Sequence, residues 1–290
     1  MFDNIFAAIE KWMRELLTGM VESNMSTMFT DVNEKTSEIA AQVGRTPQSW
    51  NSSVFSMIQN LSESVVVPIA GIIITLVLCY ELISMLTERN NLHDVDTWMF
   101  FKYFVKAWVA IYLVSNTFTI TMAVFDVGQS VVNSASGIIN GETAIDVSSL
   151  SMQMQAAMAT MEIGELVVLA LETFLVSFCM KIMSVVITVI VYGRMIEIYL
   201  YTSLAPIPFA TMSNREWGHV GTNYFRGLFA LAFQAFLMMV CVAIYTALIS
   251  SVRISSNMHS ALIGVAAYTV ILCFSLMKTG SLSKQIFGSH

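Results

Sequence analysis

Five long apolar runs dominate this sequence, and they exclude an ordinary soluble domain. Each run has roughly the 20 residues that a helix needs to cross a bilayer. Only 12% of the residues are charged, against about 25% in soluble domains, and no run shows the period-two alternation of a strand. We therefore predict an all-α, polytopic membrane protein with five spans. The predicted spans cover residues 65–86, 98–125, 166–192, 227–252 and 260–277.

A further apolar segment, residues 194–212, is interrupted by proline. Pro206 and Pro208 each lack a backbone donor, and the residue before a proline is pushed out of the α region. A helix that starts at Arg194 should therefore stop near Leu204, after only about 15 Å. Broken backbone at membrane depth needs protein or a water-filled cavity around it. We predict a re-entrant or interfacial half-helix here, with a sixth, kinked span as the alternative.

The distribution of positive charge predicts how the spans are oriented. Residues 126–164 contain four acids and no Lys or Arg, so the positive-inside rule makes this loop external. Five spans then place the N-terminus outside the cytoplasmic membrane and the C-terminus inside the cell, with Arg253 as an external exception. The predicted segments are external residues 1–63, two spans in 64–125, the external acidic loop 126–164, three spans and the half-helix in 165–278, and the cytoplasmic tail 279–290.

The first twenty residues predict an amphipathic helix. Apolar residues recur at i, i+3, i+4 and i+7 from Phe2 to Met20, with charged residues between them. Three positions for this helix stay open: in the membrane interface, on a partner chain, or folded onto its own subunit. Residues 21–63 are rich in Ser, Thr, Asn and Glu. They predict a polar tail with too few apolar residues to form a core of its own.

Motifs for catalysis or cofactor binding are missing from the sequence. It contains no P-loop, no H-E-x-x-H and no G-x-S-x-G. The four cysteines lie far apart inside apolar runs, which favours packing over a metal site or a disulfide. No Lys/Arg cluster suited to a DNA duplex is present. We therefore predict a protein that is not an enzyme and has no cofactor.

Ionisable residues inside the apolar runs are the candidate site residues, because each costs about 2.5–3.5 kcal/mol at a helix centre unless it is paired or solvated. Glu165 and Glu172 lie seven residues apart and share a face of the third span. Lys181 lies about 180° around the helix from Glu172. Two interpretations stay open. The acidic face lines an aqueous lumen or a seam between subunits, or these charges find partners on neighbouring helices.

Two further patterns predict helix contacts. Arg194, Glu197 and Tyr201 share a face at i, i+3 and i+7, and an Arg–Glu pair at this spacing can satisfy itself as a structural staple. Ser260 and Gly264 form a small-xxx-small pair, which predicts close approach of the fifth span to a neighbour.

One stretch of the chain resembles a known family. It reads GRMIEIYLYTSLAPIPFA at 193–210, NREW at 214–217 and YFRGL at 224–228. In this combination, over about residues 193–250, the chain resembles the TrbL-like conjugal transfer proteins of integrative elements in Gram-positive bacteria; the rest is similar in layout. The resemblance implies a structural role, and no catalytic one, for the residues that match the family motif. We call them the signature residues: Arg194, Glu197, Tyr201, Pro206, Pro208 and Trp217.

The resemblance implies an inner-membrane component of a type IV secretion machine. Such a protein is embedded in membrane lipid, forms a homo-oligomeric ring and assembles with other conjugation subunits, including ATPases. It helps to pass a relaxase-linked single DNA strand across the membrane without reading its sequence. The alternative hypothesis is a secondary transporter that couples Glu172 with Lys181, although no internal repeat is visible.

Overall fold

The computed structural model describes residues 2–87, 97–139, 147–252 and 258–289. These residues contain eleven α-helices, one π-helical turn and no strand, which confirms the all-α prediction. Arg253 lies outside them. The helices are α1 (Phe2–Val43), α2 (Pro47–Trp50), α3 (Ser52–Leu61), α4 (Val67–Thr87) after the π turn Ser62–Val66, α5 (Thr97–Ser115), α6 (Thr117–Ile139), α7 (Val147–Met158), α8 (Ile163–Ser203), α9 (Pro206–Thr211), α10 (Gly218–Ser250) and α11 (Met258–Phe287).

Five helical stretches in the described residues are long and apolar enough to cross a membrane, as the sequence predicts. Each contains the apolar core of one predicted span, and most extend well beyond it. The polytopic class is therefore confirmed. The five stretches are Ser52–Thr87, Trp98–Ser115, Ile163–Ser203, Gly218–Ser250 and Met258–Phe287.

The second span is shorter than predicted. α5 ends at Ser115 and α6 begins at Thr117, so the apolar run 98–125 is divided at Asn116. The Asn116 side chain donates its Nδ2–H to the carbonyl of Tyr112 at 2.9 Å, and the Thr117 hydroxyl also bonds a carbonyl one turn back. Such local side-chain bonds compete with the backbone hydrogen bonds of the helix. They break the helix at a point that hydropathy does not register.

Helix also fills much of the predicted acidic loop. α6 continues to Ile139, and α7 follows it. Gly128 lies inside α6. A β-carbon at Gly128 would lie 2.9 Å from the carbonyl oxygen of Ala232, so this glycine lets α6 approach α10 closely rather than ending a helix.

The helix before the prolines ends where predicted but starts much earlier. α8 stops at Ser203, yet it is unbroken from Ile163. The predicted start of a separate half-helix at Arg194 is therefore wrong. The residue before it, Gly193, costs only about 1 kcal/mol within a helix, which is too little to stop one flanked by apolar turns. α9 then places Pro206 in its first turn, where a backbone donor would have no helical partner.

The N-terminal region also differs from the prediction of a short amphipathic helix and a polar tail. α1 runs unbroken for 42 residues. The predicted apolar stripe is exposed, for example at Phe6 and Trp12, so it is not folded onto its own chain. Further along, buried apolar side chains attach α1 to its neighbours; they are Val21, Met25, Met28, Phe29, Val32, Ile39 and Val43. These residues are too few for a core of their own, and other helices complete the burial.

The chain divides into two compact units. The first unit comprises Met1–Val43, Ser134–Val191 and Met238–Lys278, and the second comprises Gly44–Asn133, Tyr192–Leu237 and Thr279–His290. α6, α8, α10 and α11 contribute residues to both units.

In the first unit, α1 runs parallel to α8. Three side-chain hydrogen bonds, spaced along both segments in the same order, fix this alignment. They join Nη1 of Arg14 to the carbonyl of Met161 (2.8 Å), Nδ2 of Asn24 to Oγ1 of Thr173 (3.4 Å), and Nζ of Lys35 to Oγ1 of Thr188 (2.8 Å).

In the second unit, the proline helix α9 packs against α4 and α5. Phe209 and Ala210 of α9 are buried in one apolar cluster with Ala70 of α4 and Ala110 of α5. Irregular backbone within a membrane is tolerated where protein covers it. The packing of α9 on two predicted spans supplies that cover.

Candidate functional site

Two tyrosines join the end of α8 to the start of α10. The rings of Tyr201 and Tyr224 stack with their centroids 4.4 Å apart. The Tyr201 hydroxyl donates to the Tyr224 carbonyl at 3.1 Å, and the Tyr224 hydroxyl donates to the Tyr201 carbonyl at 2.6 Å. Gly227 makes room for this pair, because a β-carbon there would lie 2.1 Å from the Tyr201 hydroxyl oxygen. The signature residue Tyr201 thus closes the hairpin around the prolines.

The charged signature residues bond across helices. Nζ of Lys284, on α11, lies 2.9 Å from Oε1 of Glu197, so Glu197 pairs with Lys284 rather than forming the expected staple with Arg194. Arg194 is 6% exposed, and its Nη2 donates to the carbonyl of Leu231 at 3.3 Å. Its buried Nε has no hydrogen-bond partner within the described part of the chain. Both contacts brace α8 against later helices.

The turn between α9 and α10 contains the last signature residue. Oδ1 of Asn214 accepts hydrogen bonds from the backbone N–H of Glu216 at 2.7 Å and of Trp217 at 3.0 Å. The Trp217 ring stacks on Tyr80 of α4, with centroids 5.7 Å apart. Pro206 is buried and Pro208 partly so. Within the second unit, these residues form a turn that hydrogen bonds and ring stacking hold in place.

A polar cavity of about 280 Å³ lies beside this turn. Its walls come from the end of α4, the start of α5 and the residues before α10. Nζ of Lys106 lies 2.5 Å from Oε1 of Glu81, and Glu216 accepts a hydrogen bond from the Tyr80 hydroxyl at 3.0 Å. In the described ranges, no three His, Cys, Asp or Glu side chains come together in a way that could hold a metal ion.

The predicted charges of the third span have different surroundings in the first unit. Glu172 pairs with Nδ1 of His259 on α11. Oε2 of Glu165 accepts the backbone N–H of Glu162 at 3.2 Å, so it caps the start of α8. Lys181 is exposed. The structure thus gives Glu172 a partner on a neighbouring helix of its own chain and does not bring it to Lys181.

The family of the chain is decided by comparison with known proteins. A family model described as TrbL/VirB6 plasmid conjugal transfer like protein matches residues 32–206, more than half of the chain. This chain belongs to the TrbL/VirB6-like family. As a family member it is a component of conjugal transfer by type IV secretion. The match ends at Pro206, so it overlaps the resemblance noted over 193–250 only at its start. No curated protein and no solved structure matches the chain.

Proposed function

We propose that this chain is a channel or scaffold subunit of a conjugative type IV secretion system and helps a relaxase-linked DNA strand to cross the cytoplasmic membrane. The observation that carries the proposal is the family match over residues 32–206. The five membrane-length helices support it, because they put the chain where the strand must cross. In this proposal the chain assembles with copies of itself and with the ATPases that drive transfer.

The chemistry of the described residues favours a passive role over ion-coupled transport. A transporter would use Glu172 and Lys181 as a coupling pair, yet Glu172 pairs with His259 and Lys181 is exposed. Two other charges that the predicted spans contain or adjoin, Glu81 and Glu197, are also paired with lysines. Charge pairs of this kind hold neighbouring helices together.

A mating experiment tests this proposal. Deleting the encoding gene from the donor's mobile element should abolish transfer, and the wild-type gene in trans should restore it. During mating, formaldehyde cross-linking followed by immunoprecipitation of this protein should recover the transferred strand but not a chromosomal control. If transfer requires the protein but the strand is not recovered with it, the result supports a scaffold role and contradicts a channel role. Undiminished transfer after deletion would contradict both.

The proposed orientation, with the N-terminus external and the C-terminus cytoplasmic, rests on the loop without Lys or Arg at 126–164. In a background without the four native cysteines, Ser134→Cys should react with an impermeant thiol reagent on intact cells. Ser289→Cys should react only after lysis. The same orientation places the turn before α10 on the cytoplasmic side. Labelling of Ser213→Cys in intact cells would show that this turn is external and would contradict the orientation.

A further inference from the structure

The polar cavity of the second unit lies at the ends of two helices that are long and apolar enough to cross a membrane. Its walls include the last turns of α4 and the first turns of α5. Exposed aromatic side chains adjoin it: Tyr80 lines it, Trp217 stacks on Tyr80, and Trp98 lies one turn before Lys102. Trp and Tyr are enriched at the level of lipid headgroups. The cavity therefore lies where headgroups meet the lipid tails.

Both carboxylates that line the cavity already have partners. Oε1 of Glu81 lies 2.5 Å from Nζ of Lys106, and Oε2 of Glu81 accepts a hydrogen bond from Nδ2 of the buried Asn214 at 3.5 Å. Glu216 accepts a hydrogen bond from the Tyr80 hydroxyl at 3.0 Å. These contacts fix one wall of the cavity and pair one of its lysines.

Two further cations, Lys102 and Arg215, line the cavity and are exposed. Among the described residues, neither forms an ion pair with a carboxylate. Nζ of Lys102 instead lies 5.7 Å from the centroid of the Trp98 ring. With three cations and two carboxylates, the lining has a net charge of +1. Residues 88–96, between α4 and α5, lie outside the described residues and are not counted in this charge.

We propose that this cavity binds the phosphodiester headgroup of an anionic phospholipid. Basic pockets between membrane-spanning helices bind such headgroups, and the single negative charge of a phosphodiester balances the net charge of the lining. The planar guanidinium of Arg215 can hold two phosphate oxygens, whereas Lys102 supplies a point charge. A cavity of about 280 Å³ is close to the lower end of small-molecule sites. The bound headgroup joins α4 and α5 to the turn before α10.

The surface next to the cavity favours a lipid over a free anion. Exposed apolar side chains flank the lining residues on both helices, among them Ile83 on α4 and Phe101 and Phe104 on α5. Acyl chains can cover these side chains while the headgroup enters the cavity, which keeps apolar surface out of water. A free phosphate would use the charges alone. The site goes beyond the proposed role in DNA transfer and does not depend on it.

Lipid binding to the purified full chain tests this assignment. In a neutral detergent, titration followed by native mass spectrometry should give an apparent Kd for phosphatidylglycerol about tenfold lower than for zwitterionic phosphatidylcholine. Arg215→Gln and Lys102→Gln should each weaken phosphatidylglycerol binding about tenfold, because each removes a charge-assisted contact. Arg215→Lys keeps the charge and should lose less. Both side chains are exposed, so none of these changes removes packing from the core.

Arg226→Gln is the matched control. Arg226 is an exposed arginine of the same unit that does not line the cavity, and its loss should change binding less than about twofold. A loss equal to that of Arg215→Gln would indicate unspecific attraction to surface charge and overturn the proposal. Equal binding of the two lipids, or unchanged binding in both cavity variants, would overturn it as well.

Two soluble probes separate the lipid from other sources of phosphate. Inorganic phosphate and a short single-stranded oligonucleotide are titrated against the same protein, and both should bind more weakly than phosphatidylglycerol. Phosphate that binds as tightly as the lipid would assign the cavity to a free anion. An oligonucleotide that does so, and loses affinity in Arg215→Gln, would assign it to nucleic acid. Either result contradicts a lipid site.

Discussion

The two units differ in how closely their helix backbones approach one another at glycines. In the second unit, backbones approach closely: a β-carbon at Gly221 would lie 2.5 Å from the carbonyl oxygen of Pro208. In the first unit, a β-carbon at Gly164 or Gly264 would have nothing within 4 Å. Hydrogen bonds and ion pairs between polar side chains connect the helices of both units. The second unit therefore has little room to rearrange, whereas side chains of the first unit can adjust to small shifts.

Gly264 also bears on the predicted small-xxx-small contact with Ser260. The space around Gly264 within its own unit is open, so this pair does not bring α11 close to another helix of the described chain. Its use by a neighbouring copy stays a prediction.

The largest effect should come from Gly221→Ala. The added carbon meets the backbone of Pro208 and the side chain of Met212, so the turn before α10 must move. We expect a loss of about 3 kcal/mol in the free energy of unfolding, at the upper end for overpacking, measured by denaturant titration in detergent. The matched change Gly264→Ala should be neutral or stabilising by up to about 1 kcal/mol, because alanine favours helix. Equal losses of unfolding free energy in the two variants would show that both units tolerate an added β-carbon equally well.

The reciprocal tyrosine bonds should show the next largest effect. Tyr201→Phe and Tyr224→Phe each delete one hydrogen bond and keep the stacked rings. Each should cost about 1 kcal/mol. In a double-mutant cycle we expect a coupling energy of at least about 0.5 kcal/mol, because the two rings share one contact. Strict additivity would mean that the two bonds form independently.

In the first unit, Glu172→Gln should have a smaller effect. The Glu172 and His259 side chains are 21% and 39% exposed, and an amide can still bond the imidazole. We expect a loss below about 1 kcal/mol. Adding Lys181→Met should recover nothing, since Lys181 is not the partner. Recovery by Lys181→Met, read from oligomer stability in detergent, would instead place Glu172 against a lysine of a neighbouring copy.

Thr188→Val should have the smallest effect. It removes one acceptor of Lys35, whose Nζ also lies 2.5 Å from Oε2 of Glu38. The lysine therefore keeps a partner, and the loss should stay within about 0.5 kcal/mol. A loss several times larger in the same titration would show that the first unit is as intolerant as the second.

Hydropathy was enough to predict the spans, because an apolar run of about 20 residues has few alternatives to a buried or membrane-spanning helix. The residues at which a helix begins and ends depend on smaller contributions to the free energy than the burial of a whole apolar run. The break at Asn116 comes from side chains bonding local carbonyls, and α8 continues through Gly193 because one glycine is a weak breaker. The sequence could not predict the structure of residues 21–43, because their apolar side chains are buried by helices that lie far along the chain.

The candidate site was predicted less well than the fold. The sequence left open whether Glu172 faces a lumen or seam or finds a partner on a neighbouring helix, and it predicted that Glu197 pairs with Arg194. Both partners, His259 and Lys284, lie 87 residues further on, and no local pattern indicates them. The π turn Ser62–Val66 in the first span was also unpredictable, because hydropathy carries no information about a one-residue change in hydrogen-bond register.

The length of α8 has a consequence for how far the chain reaches. Its 41 residues extend over about 60 Å at the helical rise, twice the roughly 30 Å of hydrocarbon in a bilayer. Even a tilt of about 40° leaves a projection longer than that layer by about 15 Å. A bilayer that α8 crosses therefore leaves at least three turns of this helix outside the lipid tails.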